Sequence, residues 1–129
     1  MKESEMRALD VWLATHVMGW ERYCGGWCWA GTADWMAEKN LGPMYFPVGW
    51  HPTEDWACAG LLLDKMAADG WEWDAMNLTG AEPDKKFWSN IGRPNESGQW
   101  IYGSAEAPTP QLAICLAARK AKEAADDQS

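Results

Sequence analysis

The stretch Pro52-Thr53-Glu54-Asp55-Trp56-Ala57-Cys58-Ala59-Gly60-Leu61-Leu62-Leu63-Asp64-Lys65-Met66-Ala67-Ala68-Asp69-Gly70-Trp71-Glu72-Trp73-Asp74-Ala75 decides the fold class. Its apolar residues change period once. Trp56, Ala59, Gly60, Leu63, Met66 and Ala67 recur at helical spacing, and Trp71-Glu72-Trp73-Asp74-Ala75 then alternates at period two. Thr53 stands where an N-cap is wanted, with Glu54 and Asp55 in the first turn, where the positive end of the helix dipole favours acids. Gly70 supplies the stop. A capped helix running directly into a half-buried strand predicts mixed α and β structure, with Trp71 and Trp73 packing on a helix from one face of a sheet.

Outward from that stretch, Lys85-Lys86-Phe87-Trp88-Ser89 and Gln99-Trp100-Ile101-Tyr102-Gly103 read as two further strands, separated by Gly92-Arg93-Pro94-Asn95 and Gly98. Pro108-Thr109-Pro110 opens a last helix, with Thr109 as N-cap and proline at the first helical position. From Ala121 the polar residues read as a fraying tail, with the domain proper spanning 1–125. At the other end Met6, Leu9, Leu13 and Val17 form an apolar stripe over a helix from Glu3 to Met18, capped by Ser4 and stopped at Gly19. His16 beside that stripe reads as a satisfied, half-buried histidine. The expected fold is α+β: one domain with an antiparallel sheet of three or four strands between helices, in the order α, long loop, α, β, β, β, α.

Residues 19–52 break this regularity. Gly25-Gly26, Gly31, Gly42-Pro43, Pro47 and Gly49 punctuate them, yet Trp20, Tyr23, Trp27, Trp29, Trp35, Tyr45, Phe46 and Trp50 also lie there. Disordered linkers are poor in aromatics, so the segment is expected to be ordered against something. Within it, Ala33 to Lys39 reads as a helical turn and Met44-Tyr45-Phe46 as a short strand.

Composition narrows the function. The chain has 129 residues, a net charge of −8 and no long basic run, which argues against DNA or RNA as partner. No apolar run approaches the roughly 20 residues that span a bilayer, and Met1-Lys2-Glu3-Ser4-Glu5 does not read as a secretory leader. An intracellular protein with no membrane partner is expected. Eleven tryptophans exceed what one small core needs, so several are expected half-exposed, at a ligand or at a subunit boundary.

The candidate chemistry is that of binding. There is no nucleophile elbow, P-loop, zinc-protease or dinucleotide-binding pattern, so no catalytic residue and no cofactor is expected. Cys24-Gly-Gly-Trp-Cys28 is a C-x₃-C without a second close pair, so Cys24 and Cys28 are read as loop thiols rather than metal ligands, though His16 and His51 together would complete a tetrahedral zinc site in space. Cys58 and Cys115 read as small core residues. Aromatic rings stack nucleobases without demanding a particular base. Phosphate-binding donors are available at Arg22, Arg93, the Gly25-Gly26 amides and the helix start at Thr53. Trp20, Trp27, Trp50, His51, Thr53, Arg93 and Tyr102 are therefore the candidate ligand-binding residues. Trp50→Ala or Trp27→Ala is expected to remove binding and leave the fold intact.

Three landmarks in order, Val17-Met18-Gly19-Trp20, the Thr53-led helix ending at Gly70-Trp71, and the alanine-rich helix after Pro108-Thr109-Pro110, resemble the bacteriophage ABA sandwich domain proteins over roughly residues 8–120. The resemblance implies a small phage protein with a sheet between helical layers, acting in the cytoplasm of the infected host. Small phage proteins of this class include oligomers that sequester nucleotide immune signals of the host. The expected function is therefore non-enzymatic capture of a small nucleotide-like ligand by a homo-oligomer. The alternative is inhibition of a host protein through the 20–50 segment.

Overall fold

The computed structural model describes residues 1–23, 28–30, 45–47 and 50–127, with only the backbone pairing described at 21–23, 28–30 and 45–47. The elements follow as α1 (Glu3–His16), β1 (Glu21–Tyr23), β2 (Cys28–Ala30), β3 (Tyr45–Pro47), α2 (Trp56–Ala68), β4 (Glu72–Asn77), a 3₁₀ turn (Pro83–Lys85), β5 (Phe87–Pro94), β6 (Trp100–Ala107) and α3 (Pro110–Asp127). Three helices and a three-stranded antiparallel sheet, β4-β5-β6, form an α+β fold. A second small antiparallel sheet, β1-β2-β3, lies between α1 and α2 in sequence.

The apolar stripe of α1 is buried at Leu9, Leu13 and Val17. Ser4 does not cap α1. Lys2 occupies the cap position in extended conformation, with no side-chain bond, and Met6 N–H donates to its carbonyl at 3.0 Å. At the other end Gly19, at φ +71°, makes the turn that lets Trp20 N–H return to Ala14 O. His16 is exposed rather than half-buried, and its ring stacks on Trp12 at 4.4 Å.

The cap of α2 is Asp55, two residues later than expected. Its carboxylate accepts from Ala57 N–H at 2.8 Å and Cys58 N–H at 3.4 Å. Thr53 is instead fully buried and bonded elsewhere. The helix ends in a Schellman motif: Gly70 N–H donates to Ala67 O and Trp71 N–H to Met66 O, with Gly70 at φ +91°. Trp71 is buried against the helices, whereas Trp73, on the edge strand β4, stays half-exposed.

Register fixes the two faces of the sheet. Ser89, Ile91, Ile101, Gly103, Ala105 and Ala107 share the face buried beneath α3. The helix comes close because it presents Ala113, Ala117, Ala118 and Ala121 there, and because position 103 has no side chain. Thr109 caps α3, its hydroxyl oxygen accepting from Leu112 N–H at 3.3 Å. The helix continues through Asp127 with Ala121 fully buried, so residues 121–127, expected as part of a fraying tail, are helical. Helices α1 and α2 pack on α3, closing a core of Leu9, Leu13, Met18, Leu62, Met66, Ile91 and Ile114. Each such aliphatic side chain contributes about 1.5–3 kcal/mol on burial.

The opposite face, carrying Met76, Trp88, Trp100 and Tyr102, is turned outward. Its glycine, Gly92, lies under the Trp100 ring: a Cβ there would stand 2.6 Å from the indole nitrogen.

Candidate functional site

Asp10 organises the first polar cluster. It sits one turn from Arg7 on α1 and is only 2% exposed. Its carboxylate accepts from Thr53 N–H at 3.1 Å and the Thr53 hydroxyl at 3.2 Å, and pairs with Arg7 at 3.2 Å. Arg7 also donates to His51 Nδ1 and to Thr53 Oγ1, and pairs with Glu54 at 3.0 Å. A guanidinium donating to Nδ1 leaves the imidazole proton on Nε2. Burial raises the Asp10 carboxyl above its ordinary value, opposed by the Thr53 bonds and by the charge of Arg7.

This cluster fastens the chain before α2 to the middle of α1. Trp50 joins the same seam: it is 3% exposed, donates its indole N–H to Asp10 O at 3.0 Å, and meets Trp20 edge-on at 4.7 Å. Two of the sequence candidates, Trp20 and Trp50, are thus brought together inside the core, with Thr53 and His51 beside them. Burial likewise pushes the Cys58 thiol up, and that of Cys115 well up, so neither is a thiolate at neutral pH. Both are buried core residues, as the sequence suggested.

Arg93 belongs to a different place. At the end of β5 its guanidinium stacks on the Trp71 ring at 4.4 Å and donates to Asp69 O at 3.0 Å. That stacking aims it into a cleft of about 840 Å³ between the β5–β6 turn and the last turns of α3. Asn95, Glu96, Gln99, Lys122 and Asp126 also line it. The turn is pre-ordered, because Asn95 Oδ1 accepts from the N–H groups of Ser97 and Gln99 at 3.0 and 2.8 Å. The cleft is ligand-sized, with polar and apolar surface in similar measure, a fork of donors at Arg93 and a second cation at Lys122, which pairs with Asp126 at 3.8 Å. Tyr102 pairs in register with Gly92 and stands on the outward face of the sheet, away from Arg93 on the other.

Sequence reasoning reached Arg93 but missed Arg7, Asp10 and Lys122. The signal for Asp10 was a carboxylate set next to the buried Leu9 of an apolar stripe, where an acid needs a partner. Trp27 and Cys24 lie outside the described residues, and of Cys28 only the pairing of β2 is described. Among the described residues no group of three His, Cys, Asp or Glu side chains could hold a metal ion, and no helix is long and apolar enough to cross a membrane.

A crystal structure of a phage protein from Bacillus cereus shares this fold, with a TM-score of 0.59 at 16% identity, over 94% of this chain and 92% of that one. No curated protein sequence matches the chain significantly. The sequence pattern of the phage ABA sandwich domain matches residues 11–119, most of the chain, and the helices and antiparallel sheet fit that name. The chain belongs to the phage ABA sandwich domain family.

Proposed function

We propose that this phage protein is a non-enzymatic binding protein that captures a small nucleotide-like ligand in the Arg93 cleft, in the host cytoplasm and as a homo-oligomer, and so withholds a host immune signal. The observation that carries the reading is the pre-set guanidinium. Arg93 is held by the Trp71 face and Asp69 O at the wall of a cleft whose volume suits a nucleotide. A phosphate would take the free edge of that fork with Lys122, which pairs with Asp126 at 3.8 Å, alongside, and the amide side chain of Gln99 offers a donor and an acceptor to a sugar or base edge. Glu96 and Asp126 at the same cleft would repel a highly charged polyphosphate, which favours a mono- or dianion.

Native mass spectrometry of the protein with cyclic and linear nucleotides tests this. The expected result is an oligomer carrying discrete nucleotide adducts that Arg93→Gln loses. Bare protein across the panel, or adducts that survive Arg93→Gln, would overturn it.

A further inference from the structure

The outward face of the β4-β5-β6 sheet combines aromatic surface with unpaired negative charge. Glu72, Gly92 and Tyr102 form one cross-strand row, Asp74, Asn90 and Ser104 the next, and Met76, Trp88 and Glu106 the third, with Trp100 at the end of β6. Met76, Trp100 and Tyr102 are 54%, 49% and 57% exposed. Because Gly92 has no Cβ, the Trp100 indole lies down on the strand beside it and keeps its other side open. Glu72, Asp74 and Glu106 are exposed, and none pairs with a described cation. The strand positions on this face include three carboxylates and no lysine or arginine.

We infer that this face docks an arginine- or lysine-bearing segment of another protein. Indole and phenol rings attract cations to their negative faces, and guanidinium groups stack on them while their edges bond carboxylates. Glu106 stands directly across from Trp88, so a ring and a carboxylate act together on one incoming side chain there, and Glu72 and Tyr102 flank Gly92 from either side, with the Trp100 ring over it. The same charges disfavour the other occupants. A second copy docked face to face would set six carboxylates against one another, and phosphate-rich nucleic acid or anionic lipid would meet like charge. The surface lies on the opposite face of the sheet from Arg93 and meets the cleft only at Pro94 and the β5–β6 turn.

The test is fluorescence anisotropy with a labelled peptide of alternating arginine and alanine, against an alternating glutamate and alanine control. Saturable one-to-one binding is expected for the arginine peptide alone, weakened at 0.5 M salt, where exposed charges are screened within about 4 Å. The combined Glu72→Gln, Asp74→Asn and Glu106→Gln variant should bind at least about fivefold more weakly. Glu3→Gln, Glu5→Gln and Asp127→Asn together remove the same charge elsewhere and should change binding less than twofold. Trp100→Ala should also weaken it, with urea unfolding confirming that the fold persists. Equal loss in both triple variants would reduce the effect to net charge and overturn the proposal. So would absence of arginine-peptide binding, or a dimer in sedimentation that Trp100→Ala dissolves.

Discussion

Gly103 on β6 lies against the backbone of α3 at Ala121, where a methyl group would overlap the peptide nitrogen and stand 2.5 Å from Ala117 O. Backbone cannot swing aside as a side chain can. Gly103→Ala is therefore expected to lower stability by about 1–3 kcal/mol as α3 is pushed off the sheet. Gly92→Ala meets the Trp100 ring first, which has solvent to move into, so urea unfolding should detect less than about 1 kcal/mol. The second variant should instead alter the Trp100 emission. Equal losses for the two would refute the distinction between rigid and yielding neighbours.

Asp10 gives a signed pH dependence. Burial raises its folded-state pKa above the ordinary 3.8, so the folded chain holds this proton more tightly than the unfolded one. The contribution is full below about pH 3.8 and is lost as pH rises through the higher folded value. Asp10→Asn removes this titration, and the stability of the parent relative to the variant should decline as pH is raised from about 3.5 to 6 in urea titrations. A relative gain would mean that the Arg7 charge outweighs desolvation. Asp10→Ala leaves the buried Thr53 N–H without its acceptor and takes from Arg7 one of its two carboxylate partners, and should cost about 3 kcal/mol.

Trp50→Ala is now expected to act on the fold. The ring is buried against Trp20 and bonded to Asp10 O, so its removal leaves a large cavity and takes away the bond that ties it to α1. A loss of about 3–5 kcal/mol is expected, read as a fall in the denaturation midpoint. Trp50→Phe, which keeps most of the ring, should recover more than half of it. If Trp50→Ala unfolds at the parental midpoint, the seam between Trp20 and Trp50 does not hold the fold.

The helices and strands were legible because their signals are local. The α1 stripe, the strand alternation after Gly70 and Thr109-Pro110 each act within one turn or one pair of residues. What escaped was set by distant partners. Thr53 looks like a cap on its own, but Asp10 draws its hydroxyl into the core and leaves the capping to Asp55. The register of β4-β5-β6 separates Arg93 from Tyr102 by face, which spacing alone does not express once turn lengths are unknown. Tryptophan count foresaw half-exposed rings, and Trp56, Trp73 and Trp100 are such, but composition could not say which. The expected helical turn at Ala33 to Lys39 lies outside the described residues, and of the short strand expected at 44–46 the described part is β3, Tyr45–Pro47.

The edge-on contact of Trp20 with Trp50 has a consequence for chain length. It joins the two points where the intervening aromatic stretch leaves and re-enters the domain, and Asp10 locks the second of them to α1. A chain closed at its base by buried rings can lengthen or change above that base at little thermodynamic cost, since doubling a loop adds only about 0.6 kcal/mol. The seam lets the segment between Trp20 and Trp50 change in length while the helices and the β4-β5-β6 sheet keep their packing.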